Sequence, residues 1–64
     1  MKSKEEIQKS YEDLKELLQS IEKDLLKNLN GNKAAGSRAR RVLRQVKKDA
    51  AALVKAMIEL EKQE

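Results

Sequence analysis

Lys33, Ser37, Arg41, Arg44 and Lys48 follow one another at spacings of four, four, three and four residues, with Arg38, Arg40 and Lys47 beside them. On an α-helix that spacing gathers the side chains on one side. The chemistry such a set can do is ionic recognition of phosphate. Four of its charges are arginines, whose planar guanidinium donates two parallel hydrogen bonds to an oxyanion, and Ser37 adds a hydroxyl to the stripe. With Lys27 these residues make up the basic content of residues 25–48, a block of eight basic residues and no acid. The segments 1–24 and 49–64 each carry a net −2, so the +4 of the chain is concentrated in its middle. The usual partner of so concentrated a cationic surface is a polyanion, most often nucleic acid.

Other chemistries are poorly supplied. The 64 residues include no histidine and no cysteine, which removes imidazole catalysis, disulfides and Cys/His zinc sites. The hydroxyls of Ser3, Ser10, Ser20, Ser37 and Tyr11 have no histidine to act as base, and no glycine-rich phosphate loop is present. The carboxylates recur at helical spacing beside lysines, the pattern of solvated i,i+4 pairs. The expectation is a non-enzymatic protein with no cofactor, metal or small-molecule substrate. No apolar run approaches the roughly 20 residues needed to cross a bilayer, and the basic stripe has no aromatic or leucine face to insert into one. The opening MKSKEEIQKS has no signal-peptide core, so a cytoplasmic location is expected.

Two helices must position the basic block. Ser3 and Glu6 form a capping box, in which Ser3 accepts from the Glu6 amide and Glu6 reaches back to the Ser3 amide. Ile7, Tyr11, Leu14, Leu18, Ile21 and Leu25 follow at alternating spacings of four and three, a heptad seam. The stretch 28–32, Asn-Leu-Asn-Gly-Asn, interrupts it: Gly31 suits the left-handed position after a helix, and Asn32 suits the N-cap of the next. A second seam then runs through Gly36, Ala39, Leu43, Val46, Ala50, Leu53, Met57 and Leu60.

Folding about Asn32 opposes seam positions whose numbers sum to 64, from Ile7 against Met57 to Leu25 against Ala39, and finally Asn28 against Gly36. The expected architecture is all-α: one antiparallel helical hairpin over 1–64, with helix 1 at about 4–29, a turn at about 30–32 and helix 2 at about 33–62. Leu17, Leu26, Leu29, Val42, Val54 and Ile58 lie beside or off these seams. A single two-helix seam is a small core for this length, so two hairpins are expected to bury those flanks as a homodimeric four-helix bundle.

Nothing in the basic block is built to read sequence. No aromatic residues interleave it to stack bases, and zinc-finger and RNA-recognition signatures are absent. Contacts to phosphate position a protein without specifying sequence, so the expected partner is double-stranded DNA bound without sequence preference, with structured RNA satisfying the same charges. The site would comprise Lys27, Lys33, Ser37, Arg38, Arg40, Arg41, Arg44, Lys47 and Lys48. The alternative is a helical interaction or oligomerisation module whose basic patch binds an acidic protein or orders its own assembly.

The stretch NLNGNKAAGSRARR, Asn28 to Arg41, together with the preceding LQSIEKDLLK, resembles the N-terminal region of the bacterial linker-histone-like proteins known from chlamydiae. Gly31, Asn32, Lys33, Ala34 and Ala35 match the turn motif of that family, and Arg38 and Arg40 match its basic pair. The resemblance implies a nucleoid protein that compacts DNA with little sequence preference. Chlamydial members continue into a long Lys/Ala-rich tail, whereas this sequence runs to Glu64 through an acidic segment. DNA binding by the hairpin itself is therefore read from the charge block.

Overall fold

A computed structural model describes residues 3–63 as three helices, α1 (Lys4–Ser20), α2 (Glu22–Leu29) and α3 (Lys33–Gln63), with no strand among the described residues. Residues 1, 2 and 64, the ends of the expected 1–64 unit, lie outside that range. The chain is a rod of 49 × 15 × 12 Å in which α1 and α2 run along one side of α3 in the opposite direction.

The first helix starts where its cap dictates. Ser3 Oγ accepts from the Glu6 amide at 3.2 Å and donates to the Glu6 carboxylate at 3.4 Å. Glu6 therefore binds the Ser3 hydroxyl, where the capping-box expectation gave it the Ser3 amide. Glu5 and Glu6 in the first turn also suit the positive end of the helix dipole.

The stretch expected as one helix is interrupted at Ile21. The Ser20 hydroxyl donates to the Leu17 carbonyl at 2.6 Å, the acceptor that the Ile21 amide would use in an unbroken helix. The Ile21 amide turns to Gln19 instead, and the ladder resumes from the Ile21 carbonyl to the Leu25 amide. Ile21 is also the largest buried side chain, 6% exposed.

The turn follows the expected chemistry closely. Gly31 has φ of +100°, a region that side chains with a Cβ rarely enter. The Asn32 amide donates to the Lys27 carbonyl and the Gly31 amide to the Asn28 carbonyl, both at 2.9 Å, which is the paired pattern of a Schellman termination. Asn32 Oδ1 accepts from the Ala35 amide at 3.0 Å and caps α3. Asn28 Nδ2 donates to the Asn32 carbonyl, and its amide lies so close to Gly36 that a Cβ there would sit 2.6 Å from Asn28 Cγ. The expected Asn28/Gly36 layer is thus a tight polar lock.

The helix faces differ from the expected seam by one column. Ile7, Leu14, Ile21, Gly36, Ala39, Val46, Ala50, Leu53 and Leu60 are buried or half-buried, as the seam requires. Tyr11, Leu18, Leu25, Leu43 and Met57 are instead 42–48% exposed. Ser10, Leu17, Asp24 and Asn28 take the inner positions on α1 and α2, and Ala35, Val42, Asp49 and Ala56 take them on α3.

The physical reason is helix approach. Turning Ala35 and Ala56 of α3 toward α1 and α2 lets the axes come close, whereas Leu43 and Met57 would hold them apart. Each apolar stripe is two columns wide, and the hairpin uses only one edge of each.

Candidate nucleic-acid interface

The basic residues in the first half of α3 lie on its exposed side. Lys33, Ser37, Arg40, Arg41, Arg44, Lys47 and Lys48 are all exposed. At 1.5 Å per residue the stripe from Lys33 to Lys48 runs for roughly 22 Å. None of its six charged residues has an ion pair or side-chain hydrogen bond among the described residues. No acid occupies the first turn of α3, so its free amides and positive dipole end add to the same potential. Arg40, Leu43, Arg44 and Lys47 also line a shallow groove at one border of the stripe.

Two expected site residues sit elsewhere. Arg38 turns to the side of the hairpin, where Nη2 lies 3.1 Å from Asp24 Oδ1 and Nε lies 3.3 and 3.4 Å from the two Asp24 oxygens. Asp24 is one residue before the acid-free block, and the fold brings it back onto that block. The pair ties α2 to α3 and leaves Arg38 less free for an outside anion than its neighbours. Lys27 is exposed but belongs to α2, on the same side as Arg38, away from the main stripe.

The turn motif also acquires a structural account. Gly31 ends α2, Asn32 caps α3, Ala35 is fully buried, and Gly36 leaves the space that the Asn28 side-chain amide fills. These residues orient α3, while the charges follow on its outer face. Spacing alone did not separate the two roles. The signal for Arg38 was the acid at position 24, which a count bounded at residue 25 passes over.

Among the described residues no group of three or more acidic, histidine or cysteine side chains is arranged to hold a metal ion, and no helix is long and apolar enough to cross a membrane.

No curated protein and no solved structure matches the chain. Residues 8–63 match the family of histone H1-like proteins of the Hc1 type, spanning the hairpin, its turn and the basic stripe. With most of its length inside that match, the chain belongs to the histone H1-like Hc1 family.

Proposed function

We propose that this protein is a non-enzymatic, nucleoid-associated DNA-binding protein that contacts duplex phosphates through the outer face of α3 and does so as a homodimer. The observation that carries the reading is the unpaired stripe of Lys33, Arg40, Arg41, Arg44, Lys47 and Lys48, in a chain whose family is histone H1-like. Ser37 lies within it, and Lys27 and Arg38 sit to one side. Without aromatic residues to stack on bases, the contacts are to the backbone and carry little sequence preference.

The dimer rests on the second apolar column. Tyr11, Leu18, Leu25, Leu43 and Met57, with Val54 beside them, are 42–56% exposed in one hairpin. Covering the exposed half of each stabilises by about 1 kcal/mol. The hairpin is one unit in this reading, and a second copy completes its core as a four-helix bundle.

A gel-shift series with duplex DNA, single-stranded DNA and duplex RNA across a salt gradient tests the reading. Neutralising about five phosphates per site gives a slope of log affinity against log salt of about −4 to −5 on duplex DNA. A flat salt dependence, or no duplex binding in dilute buffer, overturns it.

The same apolar column favours a second reading, a helical interaction module whose basic patch works in assembly. Sedimentation in low and high salt separates the two. An oligomer that dissolves in salt assigns the charge to assembly, whereas a dimer that persists while DNA is lost assigns it to phosphate.

A further inference from the structure

We infer that the second copy stacks head to tail, with the two turns at opposite ends and α3 lying on α3 of the partner subunit, so that both basic stripes share one edge and serve a single duplex. The inference rests on the DNA-binding reading above for its consequence, and on helix geometry and charge for its arrangement.

Five of the exposed apolar residues, Tyr11, Leu18, Leu25, Leu43 and Met57, fall on one face. Tyr11, Leu18 and Leu25 each follow an inner position (Ser10, Leu17, Asp24) by one residue, and Leu43 and Met57 likewise follow Val42 and Ala56, with the half-buried Ala50 between them. One residue along a helix is a rotation of about 100°. Because α3 runs opposite to α1 and α2, that rotation carries both columns to the same side of the hairpin. The result is a broad apolar face, and a two-fold dimer must set this face against itself.

Only two such dimers keep neighbouring helices antiparallel. With the two-fold axis along the rod, the turns lie together and α3 faces α1 of the partner subunit. The +8 blocks then crowd one end, and Lys15 meets Lys47 of the partner subunit, partly offset by Arg40 against the partner's Glu22.

With the axis across the rod, each basic half lies beside an end segment of net −2. The column on α1 and α2 is symmetric about Leu18, so Leu18 meets its own copy and Tyr11 meets Leu25 of the partner subunit. Lys15 and Glu22, three residues before and four after Leu18, then face each other across the axis as opposite charges. Lys47, one residue past the α3 position level with Leu18, then faces its own copy, one like-charge contact set against the two Lys15–Glu22 pairs, so register and the balance of charge select this arrangement.

Its geometric consequence follows directly. A two-fold axis across the rod leaves α3 on the same edge in both copies, so the outer stripes point the same way, and one copy supplies only half of the phosphate-facing edge. In the alternative the stripes would occupy opposite edges and join two duplexes.

The test is the distance between nitroxide labels on Asn30→Cys in the DNA-free protein, which has no native cysteine. The head-to-tail dimer places the labels roughly 35–45 Å apart, from twice the rise between Leu18 and residue 30. A separation below about 25 Å, as for helices packed side by side with turns together, overturns the inference. A monomer by sedimentation also overturns it.

Glu5→Cys at the other pole repeats the measurement should the turn variant fold poorly, with the same two outcomes. A companion assay captures free duplex with bead-bound duplex through the wild-type protein. Absence of capture with retained binding supports one duplex per dimer, and efficient capture overturns the shared edge. Failure of duplex binding itself, with the long label distance intact, instead sinks the DNA reading and leaves the dimer geometry standing.

Discussion

One flank of the hairpin presents Asp13, Ser20, Asp24, Arg38, Gln45 and Asp49; the other presents Tyr11, Leu18, Leu25, Leu43, Val54 and Met57. The polar flank satisfies itself. Arg38 pairs with Asp24, Gln45 Nε2 donates to Asp49 at 2.9 Å, Ser20 caps a carbonyl of its own helix, and Lys9 approaches Asp13 at 3.5 Å. The apolar flank has no such closure within one chain, and its side chains stop half-covered. The difference teaches that the hairpin is finished on one side and unfinished on the other, with the basic edge of α3 running between the two.

The largest effect should come from spoiling the lock that both flanks share. Gly36→Val puts side-chain atoms into the space of the Asn28 amide, which is already held by Asn32. It should cost more than about 2 kcal/mol, measured as the midpoint of urea unfolding by circular dichroism. Retained stability would mean that the turn has room that the close approach denies.

Next comes the edge between the flanks. Arg40, Arg41 and Arg44 changed together to alanine should weaken duplex binding by about two orders of magnitude near physiological salt and flatten the salt slope by about three, with helicity unchanged. A sequence preference surviving in that variant would contradict phosphate-only contact.

The apolar flank is broken most directly by Leu18→Glu with Leu43→Glu. Sedimentation should report a monomer that keeps its helical spectrum, because neither residue is buried within one hairpin. Gln45→Glu on the polar flank should leave the mass unchanged, and an equal loss of dimer there would erase the contrast between the sides.

The smallest effect sharpens the polar flank. Asp24→Asn releases Arg38, half-exposed in its pair, at a stability cost of about 0–1 kcal/mol. Duplex binding should tighten by a few fold and the salt slope steepen by about one. Weaker binding would mean that Arg38 needs Asp24 to hold it in place.

Much of this fold is legible in the sequence. Gly31 and Asn32 have side-chain requirements so local that their roles follow from residue type, and the capping serine is equally direct. The seam was legible to within one helical column. Heptad spacing gathers the apolar residues into a stripe two columns wide on each helix, but the hairpin packs one column of it together with a neighbouring column that includes Ser10, Asp24 and Asp49. The choice of column depends on how closely Ala35, Ala39 and Ala56 let the backbones approach, a property of the pair of helices.

The basic edge was legible as a stripe because its spacing is helical and its charges have one sign. The pairing of Arg38 was not legible because its acid, fourteen residues earlier, is a neighbour only after the chain reverses. The interruption at Ile21 had no signal in periodicity, since the ladder resumes in phase beyond it.

The lock formed by Asn28, Asn32 and Gly36 has a consequence for the register of everything downstream. It clamps the angle at which α3 leaves the turn, and so it sets the rotational phase of a 31-residue screw. An extra residue just after this clamp would advance that phase by about 100° and leave every later side chain chemically intact. The arginines would swing from the edge onto a flank, and Ala39 and Ala56 would leave the seam. Such a change alters no charge, composition or helix propensity worth noting, yet it would separate two properties that the native turn keeps in step.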